Sequence, residues 1–356
     1  MNKQKKSPTA IVCLSPYLGG LELDAIKYTN KLSCLAETIL ICKKDSLLAR
    51  KAKHEYHFTV VEISFQFNVS FSLFYFFKKA IEKYSIRNIL YFGASELKSM
   101  FFSVRNLDTN FIIRHGTRKR PKKNWYHSKI YSIVDYHIGI SKDLTNNITT
   151  GIPINGKTKV RTIYPSVKYL HKPKQSKTTD NIQILNTGRI AEGKGHIDMI
   201  DACDILYQND INFTLNIVGT GDPEYVKKIM KYSRSKIYSK NIKFHGFKET
   251  ISKFLELNDI FLFPSYGEGL SNSFTEALCH GLVCLSYDNT SFVEFRELGF
   301  HTHLVDNLDK YSLSQKLFQV VKSIEIEKKK SFFNIEHALN VFSEDVELEN
   351  YRKILI

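Results

Sequence analysis

No stretch of this 356-residue chain approaches the ~18 consecutive apolar residues needed to cross a bilayer, which argues against a membrane-spanning helix. A basic start, Lys3, Lys5 and Lys6, leads into an apolar run, Ala10 to Leu14, that breaks at Ser15-Pro16 and is too short for a secretory signal. The six cysteines are scattered, mostly within apolar runs, and no Cys-x-x-Cys occurs. That excludes a disulfide framework or a cysteine-based zinc ribbon and fits a reduced, cytoplasmic setting, at most peripheral to the inner membrane. The tight histidine pairs, His54-x2-His57 and His301-x-His303, have no cysteine or carboxylate at useful spacing, so they read as surface residues and no metal is expected. Repeats of fixed period and extended low-complexity segments are also missing.

Acidic residues are scarce in one half only. Residues 1–165 hold 27 Lys and Arg against 11 Asp and Glu, whereas residues 166–356 hold 24 against 25. The densest basic run is Arg114, Arg118, Lys119, Arg120, Lys122 and Lys123, beside Trp125 and Tyr126. Such a face attracts phosphate-rich partners: anionic lipid, a lipid-linked phosphoglycan or nucleic acid. It reads equally as a solvated surface.

At ~150 residues per domain the length suggests two domains. Short β-rich runs alternate with longer amphipathic ones, the rhythm of parallel sheets with crossover helices. The first half offers strands at Ala10 to Leu14, Thr38 to Cys42, Val60 to Ile63, Ile89 to Phe92, Phe111 to Ile113 and His137 to Ile140. The second offers Gln183 to Asn186, Thr214 to Val218, Ile242 to Phe244, Ile260 to Phe263 and Val283 to Ser286. A seam is expected between Tyr164-Pro165 and Thr179, where Lys, Gln, Ser, Thr and Pro crowd together. In the segment Phe71 to Tyr84, Phe74, Phe77, Ile81 and Tyr84 follow core spacing. Phe71, Tyr75 and Phe76 are left beside lysines, as on an interfacial membrane helix, although core packing is the plainer reading.

The most informative stretch is Pro264 to Ala277. Glu268 and Glu276 stand eight residues apart across a small polar turn that follows an apolar strand and opens a helix. A continuous helix at ~100° per residue would put them about 80° out of line. Glu268 is therefore expected in the loop and Glu276 on the first helical turns, with the amides of Gly269, Leu270 and Ser271 forming a phosphate seat at the helix start. Two solvent-facing glutamates around an N-cap serine are the alternative. Upstream, a strand ends at Gly188, and a loop loosened by Gly193 and Gly195 presents Arg189 and Lys194, a guanidinium and an ammonium suited to a diphosphate at a sheet's carboxyl edge. Val218-Gly219-Thr220-Gly221 has Glu224 where a dinucleotide fingerprint needs a third glycine. NAD is thus rejected, and close backbone approach to a nucleotide is retained. Lys243-Phe244-His245-Gly246-Phe247 ends another strand and either presents backbone to a base or is an ordinary turn. In the first half, Gly19-Gly20 follows the first strand, and His115-Gly116 places an imidazole at a strand end.

In order and spacing, Gly19-Gly20-x-Glu22, His115-Gly116, Gly188-Arg189-x4-Lys194-Gly195, Val218-Gly219-x-Gly221, Phe244-x-Gly246 and Pro264-Ser265 through Glu268-x7-Glu276-Ala277 resemble the retaining glycosyltransferases of family 4, of bacterial surface-glycan type. The likeness covers residues 182–290 most fully and is patchier before. It implies a GT-B α/β fold: two Rossmann-like doubly wound domains facing across a cleft, residues 1–168 for the acceptor and 169–340 for the donor. Residues 341–356 would form a carboxy-terminal helix crossing back to the first domain.

The resemblance assigns Arg189 and Lys194 to the donor pyrophosphate, Glu276 to the ribose and Glu268 to a sugar hydroxyl, with Gly188, Gly219, Phe247, Gly269, Leu270 and Ser271 lining the site. His115 would touch the sugar, and Gly19 and Gly20 would close over the phosphates. The expected reaction moves a hexose-type unit from a nucleoside diphosphate sugar, UDP-linked by expectation, to a lipid-linked, lipopolysaccharide or capsule glycan. No cofactor is implied, and the absence of an Asp-x-Asp clamp fits a metal-independent enzyme. Where the family often has Asn-Gly-x-Asp near the hinge, this chain has Tyr164-Pro165-Ser166-Val167. The rival from another class is a non-catalytic basic protein that binds nucleic acid or anionic lipid.

Overall fold

The computed structural model describes residues 7–67, 70–93, 96–167 and 180–355. They form two compact units, one running to Pro165 and resuming at Asp345, the other spanning Ser166–Glu344.

The first unit holds β1 (Thr9–Cys13), β2 (Thr38–Lys43), β3 (Thr59–Ile63), β4 (Asn88–Tyr91), β5 (Asn110–His115), β6 (Tyr136–Gly139) and β7 (Lys159–Thr162). Their order is β3-β2-β1-β4-β5-β6-β7, and every pairing is parallel. Helices cover both faces, so the inner strands are apolar along their whole length. Ala10 and Val12 enter one core with Phe77 and Met100, while Ile11 and Cys13 enter the other with Tyr28 and Tyr351.

The second unit holds β8 (Ile182–Thr187), β9 (Phe213–Val218), β10 (Ile242–Phe244), β11 (Ile260–Leu262), β12 (Val283–Asp288) and β13 (His303–Asp306). They lie in the order β10-β9-β8-β11-β12-β13, again all parallel. Eleven of the strands were expected from composition; β7 and β13 were not. Both are sheet edges, and their sequences, Lys-Val-Arg-Thr and His-Leu-Val-Asp, carry too little continuous apolar character to announce a strand.

The expected division after residue 168 falls among residues outside those described, and the units part at Pro165/Ser166. At the other end the helix Ile324–Phe342 carries the second unit past the expected 340. Extended backbone at Ser343 breaks it, and the helix Glu344–Arg352 belongs to the first unit from Asp345 onward. In the helix Phe71–Lys83 the buried stripe is Leu73, Phe77, Ala80 and Ile81. Phe74 and Tyr84, expected inside, are only half-buried. No helix among the described residues is long and apolar enough to cross a membrane.

Candidate active site

In the second sheet the chain runs from β8 outward to β9 and β10, then returns to β11 and proceeds the other way through β12 and β13. The loops leaving β8 and β11 therefore diverge at the switch point, where open α/β sheets leave a crevice beyond the strands' carboxyl ends. The residues singled out in the sequence sit on these two loops. Lys194 meets Glu268 there, Nζ to Oε1 at 2.5 Å, with side chains 23% and 14% exposed. Arg189 is exposed and makes no hydrogen bond or ion pair among the described residues.

The loops are fixed to one another by backbone. Tyr266 N–H donates to the Gly193 carbonyl at 2.8 Å, and Ser265 Oγ bonds both that carbonyl, at 3.2 Å, and Glu268 Oε1, at 3.0 Å. Gly195 has φ +68°, and a Cβ there would stand 1.9 Å from the Pro264 carbonyl oxygen, so only glycine permits the approach. Gly219 has φ +144°, and a methyl group on it would stand 1.8 Å from the Gly188 carbonyl oxygen. Its smallness thus serves contact between the two loops.

Ser271 caps the helix Asn272–Cys279, its Oγ accepting from Phe274 N–H. The helix begins after the expected amides: Asn272 and Ser273, not Gly269 to Ser271, carry its first N–H groups, which have no partner within the helix. Leu270 and Ser271 are buried and Gly269 half-buried. Glu276 lies on the second turn of the helix, half-buried. Gly188 is exposed, as is Phe247 beyond β10.

Several positioning residues escaped sequence reasoning because they come from distant segments. Thr290 Oγ1 accepts from Glu268 N–H at 2.9 Å and donates to Asn289 Oδ1. Asn289 in turn donates to the Ser265 carbonyl and to Asn307. Buried Asp198 receives hydroxyls from Tyr266 at 3.0 Å and Tyr287 at 2.9 Å, tying the loop after β11 to the helix His196–Ala202. His196, between Lys194 and Asp198, is buried, and burial with the nearby Lys194 charge pushes it down to about 4.

In the first unit, Gly19 precedes the helix Gly20–Lys31 at that sheet's own switch point, after β1. Gly19 N–H donates to Glu22 Oε2 at 2.8 Å, so one of the expected anion-facing amides already serves a carboxylate. His115 ends β5, buried, with Nε2 2.8 Å from His137 Nδ1. Burial, His137 and Lys119 hold it well below the usual imidazole range, so it is neutral near pH 7. The basic run is divided: Arg114 is buried, paired with Asp24 at 2.9 Å and stacked over Tyr28. Arg118, Arg120 and Lys123 line a pocket of about 540 Å³ with Asp143, Asn146 and Thr150. Arg118 pairs with Asp143, and Arg120 has no partner among the described residues. The reading of His301 and His303 as unpartnered surface residues is corrected: both are half-buried, and both contact Glu327 from the helix Ile324–Phe342.

Residues 168–332 match the family described as Glycosyl transferases group 1. The chain is 25% identical over 238 residues to the capsular polysaccharide biosynthesis glycosyltransferase CapH of Staphylococcus aureus, an alignment covering 64% of this chain and 66% of CapH, just under two thirds of that relative. Among solved structures, a glycosyltransferase of Rickettsia africae gives a TM-score of 0.84 at 17% identity, covering 98% of this chain and 99% of that one. Anabaena HepE, solved with UDP and glucose, gives 0.78 at 16% identity, with the same coverage. The architecture is that of GT-B glycosyltransferases, two parallel-sheet Rossmann-like domains with a carboxy-terminal helix.

Proposed function

We propose that this chain, the bearer of a glycosyl transferases group 1 match over residues 168–332, moves a hexose-type sugar from a UDP-sugar to a lipid-linked, lipopolysaccharide or capsule glycan, with retention of configuration and no metal in the reaction. The observation that carries the reading is the meeting of Lys194 and Glu268 at the switch point of the second sheet, with Arg189 on the same loop as Lys194 and without a partner among the described residues. Departure of a nucleoside diphosphate builds negative charge on the β-phosphate. Arg189, Lys194 and the first amides of the helix Asn272–Cys279 are the groups to stabilise it, at about 2.7–4 kcal/mol per well-placed donor. Donor binding then draws Lys194 from carboxylate to phosphate and frees Glu268 for a sugar hydroxyl, while Glu276 takes the ribose. In the first unit the same reading assigns Gly19, Gly20 and neutral His115 to substrate. With no carboxylate assigned as nucleophile, front-face attack assisted by the leaving phosphate is the route to retention. HepE, crystallised with UDP and glucose, and CapH, of capsular polysaccharide biosynthesis, support the choice of donor and acceptor class.

A specific surface favours a membrane-borne acceptor. The helix Phe71–Lys83 exposes Phe71 (91%), Tyr75 and Phe76. The helices Leu97–Val104 and Trp125–Tyr131, successively packed beside it, add Phe102 and Trp125 (81%). Lysines 78, 79, 98, 122 and 123 are interspersed in sequence with these rings. Aromatic rings with basic residues suit the headgroup region of an anionic bilayer. The test of the whole reading is calorimetric titration with UDP, GDP, ADP, CDP and duplex DNA. One nucleotide binding and DNA not binding supports a transferase; the reverse supports an electrostatic binder of nucleic acid.

A further inference from the structure

Outside the switch point, the second unit brings together three side chains of metal-ligating type. His301 Nε2 and His303 Nε2 both point at a single atom, Glu327 Oε2, at 2.7 and 2.8 Å. The ligand atoms of the three residues lie within 4.8 Å of one another, the only such His, Cys, Asp and Glu grouping among the described residues. We propose that His301, His303 and Glu327 bind a borderline divalent transition-metal ion, zinc foremost, which fastens the edge strand β13 to the helix Ile324–Phe342.

The frame is set before any ion arrives. Asn334, two turns beyond Glu327, holds the backbone of His301 at both ends, accepting its N–H at 2.8 Å and donating to its carbonyl at 2.9 Å. Cohesion between strand and helix is met by that pair, so two imidazoles converging on one oxygen exceed what cohesion requires. Lys330 donates to Glu327 Oε1 at 2.9 Å, leaving Oε2 as the single ligand atom.

The dimensions fit with small movement. Zinc bonds of ~2.0–2.2 Å in a tetrahedral arrangement separate neighbouring ligand atoms by roughly 3.4 Å. From 2.7 and 2.8 Å, each nitrogen therefore needs to recede from Oε2 by roughly 0.6–0.7 Å, within reach of side-chain torsion. Metal uptake moves the imidazole proton from Nε2 to Nδ1. The histidine side chains remain 30% and 17% exposed, which leaves room for a water in the fourth position. Two neutral imidazoles and one carboxylate select zinc, cobalt, nickel or copper over magnesium and calcium, which prefer all-oxygen shells. Two buried hydroxyls close by in sequence, Thr302 Oγ1 between the histidines and Ser331 Oγ one turn after Glu327, have no hydrogen-bond partner among the described residues.

The test uses the full chain freed of metal by chelation, then titrated calorimetrically with zinc chloride and, in parallel, with magnesium chloride. The wild type is expected to bind one zinc ion at micromolar or tighter affinity, to melt several degrees higher in zinc, and to give a tetrahedral cobalt spectrum in the visible. His303→Ala and Glu327→Gln, checked for folding by circular dichroism, are expected to lose the zinc-dependent shift and the cobalt bands. Absence of stoichiometric zinc binding overturns the proposal. So does equal binding by wild type and both variants, which would place the ion at exposed Cys34 or another histidine.

Discussion

Gly195 decides where Lys194 stands. Its left-handed backbone and the absence of a Cβ let the loop after β8 rest against Pro264, and the Lys194 ammonium then reaches Glu268. These residues were legible because each belongs to a short motif of charge and glycine next to a strand end. Thr290 and Asp198, which hold Glu268 and Tyr266, were not, since 22 and 68 residues of sequence separate the partners and no local pattern links them. A pH dependence follows from three buried imidazoles. Burial pushes His137 down to about 4, burial and Lys194 push His196 down to about 4, and burial, His137 and Lys119 hold His115 well below its usual range. Each folded value lies below the ~6.5 of an exposed imidazole, so the unfolded chain takes up protons first. The stability contributed by neutral burial is thus complete above about pH 6.5 and is lost as pH falls toward 4, at roughly 1.4 kcal/mol per pH unit for each histidine. Urea midpoints measured from about pH 7 to pH 5 should fall steeply; a flat profile would show that these side chains are not buried neutral.

Among the elements, the helix Glu344–Arg352 is anchored through one buried carboxylate, Glu347. Glu347, with its side chain 1% exposed, receives the Tyr28 hydroxyl and the Lys31 ammonium, and Tyr351 inserts into the core beside Tyr28. Asn110 adds a bond to the Ile354 carbonyl at 2.8 Å. Glu347→Ala breaks a buried ion pair and removes the acceptor of the Tyr28 hydroxyl, and is expected to cost about 3–5 kcal/mol. Chemical denaturation reads this directly, and a loss below ~1 kcal/mol would show that the buried pair contributes little to holding this helix. Nine of the eleven strands that composition revealed lie inside a sheet, and the other two, β3 and β10, are edges that still carry a run of β-branched or apolar residues. β7 and β13 escaped because an edge strand buries only part of its length and tolerates Lys, Arg, His and Asp. The histidines around β13 were passed over for a related reason: their carboxylate partner arrives from a helix 24 residues after His303.

Over the whole molecule, the surplus of positive charge belongs to the first unit, as the sequence counts require. Its exposed rings turn a general attraction for anions into a specific expectation. The full chain should co-float with vesicles containing phosphatidylglycerol and not with neutral phosphatidylcholine vesicles, and a Phe71→Ser, Trp125→Ser double variant should lose most of that binding while keeping its melting temperature. Equal flotation by the variant would remove the rings from the account. The central claim concerns the second unit, that the crevice at its switch point holds a sugar nucleotide through Arg189 and Lys194. The most direct measurement is calorimetric titration of wild type, Arg189→Ala and Lys194→Ala with the four nucleoside diphosphates. The account predicts that UDP binds the wild type, and that each substitution weakens it about 10- to 150-fold, the equivalent of losing one charge-assisted hydrogen bond of roughly 1.5–3 kcal/mol. Failure of every nucleotide to bind, or equal affinity in all three proteins, would contradict it.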